Sequence, residues 1–155
     1  MKTILIMRHG EAEPMQADDA SRALTPRGVS QASEMALWIK AHYQPDALLV
    51  SPFDRAQQTA AQVIKHNEVS YFEVCKDIVP SGDARFAIDY LETLMSLNPE
   101  LDTWLLVAHM PIVSYLVDQL SPGDMPIFTT AGVAVIQYDE KTRRASFLKI
   151  VSPSL

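Results

Sequence analysis

Arginine and histidine side chains at the end of an apolar run are the residues of this sequence best suited to phosphate chemistry. Arg8 and His9 adjoin each other directly after the run 3–7, and Gly10 follows them. Arginine presents a fixed fork of N–H donors to phosphate oxygens, and the neutral nitrogen of an imidazole is a nucleophile. A buried strand requires neither of these groups, nor a flexible glycine, so the junction is a candidate phosphate site.

Two further junctions carry basic residues of the same kind. Arg55 lies in the first turn of the helix predicted after the run 47–50, and His109 directly follows the run 103–108. A cation in the first turn opposes the helix dipole at a cost of about 0.3–1 kcal/mol. An anion held between that side chain and the free amides would reverse the sign of this interaction.

Each of these residues has an ordinary explanation when it is considered alone. A histidine at a strand end is commonly structural or solvated, and Arg8 could pair with Glu11 or Glu13. Ligands of open α/β sheets, however, bind beyond the carboxyl ends of the strands. We therefore expect the two arginines and two histidines to converge on one anion site at that edge of the sheet.

The hydrophobic pattern predicts the elements that position these residues. Apolar runs at 3–7, 47–50 and 103–108 predict strands that are buried on both faces. Two more strands joined by a turn are predicted at 131–138 and 145–150. Because helical patterns alternate with the strands, we expect a three-layer α/β/α sandwich with a mostly parallel central sheet.

Four helices are predicted from capping signals and apolar periodicity. Thr25-Pro26 supplies a cap and a proline at the first helical position, and Ser51 is the predicted cap of the second helix. The predicted apolar face of the first helix consists of Val29, Ala32, Ala36 and Ile39, and that of the second of Ala56, Ala60 and Val63. The other two helices are predicted at about 83–97 and 111–120.

The composition excludes several classes of protein. With 155 residues and no apolar run near the roughly 18 residues of a membrane helix, we expect one domain, residues 1–155, without membrane association. The net charge of −6 argues against nucleic-acid binding. The single cysteine, Cys75, excludes an internal disulfide and a thiolate metal cluster, and the first strand is too short for a signal peptide. These features predict a cytoplasmic protein.

Three segments, taken in order, resemble the histidine phosphatase superfamily, which includes the phosphoglycerate mutases. They are Arg8-His9-Gly10, the segment 51–59 and Val107-Ala108-His109. Within the superfamily the short chain, Phe128-Thr129-Thr130 and Pro80-Ser81-Gly82-Asp83 are similar to SixA-type protein phosphohistidine phosphatases. The resemblance implies a phosphoglycerate mutase-like fold.

The resemblance also implies roles for the basic residues. His9 would be the nucleophile that is transiently phosphorylated, and Arg8, Arg55 and His109 would clamp the phosphoryl oxygens. We expect no metal or cofactor, because two arginines and a cationic His109 supply fixed positive charge. His9 must stay neutral at the attacking nitrogen, and we expect its other nitrogen to donate to a backbone carbonyl near Gly10.

The expected general acid is missing at both positions where the superfamily carries one. Pro80 stands where the mutases have a glutamate, and Met110 where the acid phosphatases have an aspartate. An alkoxide is about as basic as hydroxide, whose parent water has a pKa of ~15.7, whereas imidazole leaves as a neutral base with a pKa of ~6.5. The absence of a general acid at both positions therefore favours phosphohistidine as substrate. The remaining candidate acids are Asp77, Asp83, Glu11 and Glu13.

The short chain leaves little material to cover the site. Only about 30 residues separate Glu73 from Trp104, and segment 11–20 lacks the polar residues with which the mutases hold phosphoglycerate. We therefore expect a shallow, open pocket that accepts a phosphorylated side chain of another protein. The resemblance implies a histidine-phosphotransfer domain or sensor kinase as that partner, and we expect a monomer.

Two alternatives to a phosphohistidine phosphatase remain open from the sequence. One is a small-molecule phosphomonoesterase of the same fold, with an acid that the motifs do not reveal. The other is a non-catalytic module that binds phosphohistidine without hydrolysing it. The presence of both His9 and His109 weighs against the module, because binding alone could rely on arginine.

Overall fold

A six-stranded sheet forms the centre of the computed structural model, which describes residues 1–14 and 17–154. Its strands are β1 (Lys2–Arg8), β2 (Ala47–Val50), β3 (Tyr71–Val74), β4 (Thr103–Ala108), β5 (Val133–Asp139) and β6 (Arg144–Val151). They are arranged in the order β3-β2-β4-β1-β5-β6. The first four are mutually parallel, whereas β5 and β6 form an antiparallel hairpin beside β1. The predicted mostly parallel sheet is confirmed.

Helices cover both faces of this sheet. They are α1 (Pro26–His42), α2 (Asp54–His66), α3 (Ala84–Leu97) and α4 (Ile112–Leu120), with short 3-10 turns at Asp19–Ser21 and Lys76–Ile78. One apolar cluster joins α1 and α2 to the sheet, and a second joins α3 and α4 to the opposite face. The expected three-layer sandwich is therefore confirmed. Within the described ranges, no helix combines the length and the apolar character needed to cross a bilayer.

The alternation of side chains along β1 explains why its residues 4–7 are all apolar. Ile4 and Ile6 pack in the cluster under α3 and α4, whereas Leu5 and Met7 pack in the cluster under α1 and α2. Burying a side chain of this size contributes about 1.5–3 kcal/mol. A strand covered on both faces has no solvent-facing position, so it shows a continuous apolar run.

Capping explains where α1 and α3 begin. Thr25 Oγ1 accepts from Gly28 N at 3.0 Å, with Pro26 at the first helical position as predicted. Asp83 caps α3 by accepting from Phe86 N at 3.2 Å. Val29 was wrongly assigned to the apolar face of α1, since it is 38% exposed. Met35, which was not assigned to that face, is buried.

The predicted cap of α2 was also wrong. The cap residue is Phe53, which forms no side-chain capping bond, and the helix begins at Asp54. Ser51 Oγ instead accepts from the backbone N–H of Phe53, the residue before the first turn. The stripe of Ala56, Ala60 and Val63 is buried as predicted.

The edge strand β3 had no sequence prediction. Its outward-facing Phe72 and Val74 are 46% and 48% exposed, so the apolar residues do not mark a buried face. Pairing with β2 alone fixes this segment as a strand. The hairpin of β5 and β6, in contrast, follows the predicted runs closely.

Candidate active site

The predicted basic residues meet at one edge of the sheet. Arg8 aligns with Ala108, and Val50 aligns with Val107, so the residues that follow β1, β2 and β4 emerge side by side. The rings of His9 and His109 lie 5.1 Å apart between centroids. The convergence follows from parallel pairing, which places the carboxyl ends of all three strands at the same edge.

The ring of His9 is held in one tautomer. Its Nδ1 lies 2.7 Å from the carbonyl oxygen of Gly10, as expected, and because a carbonyl only accepts, Nδ1 carries the hydrogen. Nε2 is therefore the bare nitrogen, and Arg55 Nε donates to it at 3.3 Å. Burial, followed by the nearby charge of Arg55, lowers the pKa of His9 to about 4, although the Gly10 carbonyl acts in the opposite direction. The ring is thus neutral at pH 7, and the lone pair of Nε2 accepts the bond from Arg55.

Close packing of two glycines positions the loop that carries His9. A Cβ on Gly10 would lie 2.4 Å from the carbonyl oxygen of Gly28, and one on Gly28 would lie 2.0 Å from that of Glu11. Gly10 N also donates to Thr59 Oγ1 at 3.0 Å. The glycine after His9 is therefore required for close approach to α1, and the flexibility expected from the sequence is not its role.

Arg55 points away from solvent and toward His9. It is 3% exposed and its guanidinium lies 5.2 Å from the centre of the Phe53 ring. Nη1 donates to the backbone oxygen of Asp19 at 2.7 Å, and Nη2 donates to the Asp19 carboxylate at 3.2 Å. These bonds use three of the five N–H groups when the bond to His9 is included, so two remain for a ligand.

Asp19 and Arg22 are site residues that the motifs did not reveal. Arg22 Nη1 donates to Asp19 Oδ1 at 2.9 Å, and its Nε donates to the Glu13 carbonyl at 2.8 Å. The hydrogen bond from Arg22 and then that from Arg55 lower the pKa of the Asp19 carboxyl, so it is ionised at pH 7. A short turn without hydrophobic periodicity carries both residues, so no local signal marked them.

Two nitrogen atoms at the site are buried without a hydrogen-bond partner in the described part of the chain. They are Arg8 Nε and His109 Nδ1, while Arg8 Nη1 donates to the Phe128 carbonyl at 2.8 Å. Buried donors are nearly always paired, so two orphans beside His9 indicate a place for an acceptor-rich ligand. A phosphoryl group has the oxygens that such donors require.

The cationic state expected for His109 is not correct for the free protein. Burial is the main cause that lowers its pKa to about 3, with further lowering from His9 and Arg55. The neutral ring lies with Nε2 2.7 Å from Ser51 Oγ and packs edge-on against Phe53 at 5.2 Å. A neutral His109 adds no charge, so the fixed positive charge of this cluster lies on the arginines.

Among the described residues, no hydrogen bond is found between the carboxyl group of a candidate acid inferred from the sequence and Arg8, His9, Arg55 or His109. Glu11 accepts from Thr25 Oγ1 and Arg27 Nη1, both at 2.9 Å, and Asp83 caps α3. The sequence also predicted that segment 11–20 lacks the polar residues with which the mutases hold phosphoglycerate. Two residues of that segment, 15 and 16, lie outside the described residues.

The basic side chains lie below the protein surface. Exposed fractions are 6% for His9, 3% for Arg55 and 1% for His109. A phosphoryl group has to reach inward to meet them, so the site is less shallow than the short chain suggested. Low dielectric around the charges strengthens their interaction with an anion.

Comparison with known proteins places this arrangement in a family. The model of the histidine phosphatase superfamily (branch 1) matches residues 4–76. The phosphohistidine phosphatase SixA of Escherichia coli is 39% identical over 140 residues, which cover 88% of this chain and 86% of the relative. A SixA homologue of Haemophilus influenzae is 38% identical over 146 residues, covering 88% of each chain.

The fold agrees with these sequence relationships. A solved structure of the protein histidine phosphatase SixA complexed with tungstate matches with a TM-score of 0.90 and 36% identity over 97% of each chain. The resemblance drawn from the motifs is confirmed. The relatives are phosphatases, so the alternative of a non-catalytic binding module is not supported. The chain belongs to the histidine phosphatase superfamily, among its SixA-like phosphatases.

Proposed function

We propose that this protein is a phosphohistidine phosphatase that uses His9 as its nucleophile. The observation that carries the proposal is the fixed neutral ring of His9, whose bare Nε2 faces Arg55 while Nδ1 is held by the Gly10 carbonyl. Arg8 Nε and His109 Nδ1, both buried and unpaired among the described residues, complete a set of donors for a phosphoryl group. Names of the SixA relatives support the same substrate class.

In the first step, the lone pair of His9 Nε2 forms a bond to phosphorus as the substrate P–N bond breaks. The electron pair of that bond returns to the substrate imidazole, which leaves as a neutral base when its other nitrogen is protonated. Arg8, Arg55 and His109 donate to the phosphoryl oxygens, where the charge is spread in the transition state. The hydrogen on His9 Nδ1 stays in place and is stabilised by the Gly10 carbonyl.

In the second step, water attacks the phosphorus atom of phosphorylated His9. The Nε2–P bond breaks and its electron pair restores the neutral ring, while the water proton passes to phosphate or solvent. Because Nδ1 already carries a hydrogen, His9 leaves without a separate acid. Both steps thus use imidazole as the leaving group.

The alternative substrate class, phosphate esters of small molecules, needs a proton donor at the site. Asp19 is the candidate donor, because its carboxyl group is hydrogen-bonded to Arg55. Its lowered pKa keeps it ionised, so it lacks the proton that an alkoxide leaving group requires. This favours phosphohistidine over phosphomonoesters.

The proposal extends to the setting in which the enzyme works. Its substrate is a phosphorylated histidine-phosphotransfer domain or sensor kinase in the cytoplasm, and the protein acts as a monomer with one domain, residues 1–155. Catalysis is independent of metal ions. In support, Arg8 and Arg55 supply fixed positive charge beside the buried N–H donors of the site.

The decisive experiment compares hydrolysis of a phosphohistidine protein with that of phosphoserine and sugar phosphates. We expect a strong preference for phosphohistidine, no effect of a chelator, and loss of both turnover and phosphoenzyme in His9→Ala. Circular dichroism of His9→Ala checks that the fold survives. Equal rates on all substrates would contradict the leaving-group argument, and inhibition by the chelator would indicate a metal.

A further inference from the structure

Ser51 occupies a position between the end of β2 and the ring of His109. Its side chain is fully buried, and its Oγ lies 2.7 Å from His109 Nε2. The same oxygen accepts a hydrogen bond from Phe53 N at 3.2 Å. The serine is therefore not a helix cap, and its hydroxyl is used within the site.

The direction of the bond between Ser51 and His109 follows from the partners available to the hydroxyl. Phe53 N can only donate, so Ser51 Oγ accepts there and its own hydrogen must find an acceptor elsewhere. Of the side-chain bonds described for Ser51, His109 Nε2 is the one group able to accept. The reverse direction would leave the Ser51 hydrogen buried without a partner, which is unfavourable.

A neutral His109 ring then has its hydrogen on Nδ1. The low pKa of this buried histidine, about 3, agrees with a neutral ring at pH 7. Nδ1 is itself buried and has no partner among the described residues. Arg8 Nε is likewise buried and unpaired among the described residues, and the ring of His9 lies 5.1 Å from that of His109 between centroids.

We infer that Ser51 is a positioning residue that fixes His109 as the Nδ1–H tautomer, so that this N–H donates to a phosphoryl oxygen. The opposite tautomer would direct a nitrogen lone pair at the phosphoryl oxygens and repel them. The contribution of Ser51 to catalysis rests on the proposed function, but the tautomer itself does not. In a serine protease, loss of the group that fixes the histidine tautomer lowers kcat about 10⁴-fold.

The tautomer can be read directly from the unaltered protein. A two-bond ¹H–¹⁵N correlation spectrum of protein labelled in its four histidines distinguishes Nδ1–H from Nε2–H, and His109→Asn assigns the signal. We expect Nδ1–H for His109, both free and with inorganic phosphate. An Nε2–H signal would overturn the inference, even if the protein is an active phosphatase. An Nδ1–H signal in a protein inactive on phosphohistidine would count against the proposed function alone.

Substitution of the serine tests its role in positioning. Ser51→Ala should shift His109 toward Nε2–H and lower kcat at least about tenfold, whereas Ser51→Thr, which retains the hydroxyl, should restore the tautomer and part of the activity. The matched control is Ser121→Ala, which removes a buried hydroxyl bonded to Asp124 at 2.7 Å. If Ser51→Ala keeps either the wild-type tautomer or the wild-type kcat, Ser51 does not position His109.

Discussion

At the scale of single residues, each group at the site is held in one chemical form by a neighbour. The Gly10 carbonyl fixes the hydrogen of His9 on Nδ1, and the carboxylate of Asp19 orients Arg55 beside the free nitrogen. Burial keeps both imidazoles neutral. Preorganised groups need no rearrangement when charge develops, and this is the main source of electrostatic catalysis.

Removal of Arg55 tests whether its guanidinium stabilises the transition state. By analogy with loss of an oxyanion donor at ~2.7–4 kcal/mol, Arg55→Ala should lower kcat/KM about 100- to 1000-fold. Arg55→Lys should remain impaired, because a lysine cannot bond His9 and Asp19 at once. Steady-state rates on a phosphohistidine protein provide the measurement, with the exposed Arg27→Ala as control. A loss below tenfold would show that Arg55 lies outside the clamp.

The negative charge of Asp19 should weaken the binding of phosphate, because both anions interact with Arg55. Asp19→Asn removes one negative charge beside the anion site, so the inhibition constant for inorganic phosphate should fall about three- to tenfold, or roughly 1 kcal/mol. Asp18→Asn is the matched control, because its exposed carboxylate caps the turn through Ala20 N without contacting Arg55. Weaker phosphate inhibition in Asp19→Asn than in the control would mean that orientation of Arg55 outweighs charge.

At the scale of elements, the active site depends on a close crossing of two backbones. The loop after β1 packs on the first turn of α1 through Gly10 and Gly28, and Thr25 caps the same turn. Glu11 N also donates to Gln31 Oε1 at 2.9 Å, one turn further along the helix. The start of α1 therefore helps to position the loop that carries His9.

A methyl group at this crossing should separate the two elements. In Gly28→Ala the new Cβ would meet the Glu11 carbonyl, so we expect a loss of about 1–3 kcal/mol in unfolding free energy. Because the displaced loop carries His9, kcat should also fall about tenfold or more. Urea titration and phosphatase rates measure the two effects, and Ser30→Ala, at an exposed position of α1, serves as control. Wild-type values for both quantities would mean that the loop adapts without cost.

At the scale of the whole molecule, the site is a cluster of positive charge in an acidic protein. The net charge is −6, yet the edge of the sheet beyond β1 and β4 gathers Arg8, Arg55 and two histidines. The histidines remain neutral because the fold removes them from water. Keeping both rings neutral therefore lowers the stability of the folded protein at low pH.

This burial should make the free energy of unfolding depend on pH. An unfolded histidine has a pKa of about 6.5, whereas those of His9 and His109 in the folded protein are about 4 and about 3. The unfolded chain binds more protons between these values, so the stability is highest above pH ~6.5 and declines as the pH falls toward ~4 for His9 and ~3 for His109. Urea titrations at pH ~7 and ~5 measure the decline.

Variants distinguish the contribution of the two buried histidines to this pH dependence from that of other titrating groups. His9→Asn and His109→Asn should each flatten the dependence of stability on pH in this window, where most carboxylates do not titrate. His42→Asn, an exposed residue at the end of α1, is the control and should keep the wild-type slope. An unfolding free energy of the wild type that is unchanged between pH ~7 and ~5 would contradict the burial of neutral histidines.

The sequence predicted the elements of the core and the edge at which the basic residues meet. Apolar runs mark β1, β2 and β4 because both faces of these strands are buried, and Thr25-Pro26 marks the start of α1. The strand β3 escaped prediction because its apolar residues face solvent.

By itself, then, the sequence determined the sandwich, the family and the strand ends at which Arg8, His9, Arg55 and His109 lie, because apolar periodicity and short motifs are local properties of the chain. Tertiary structure alone decided the neutral state of His109, the bonds of Asp19 and Ser51, and the crossing at Gly28. These depend on burial and on distances between residues far apart in the chain, and no local pattern encodes either.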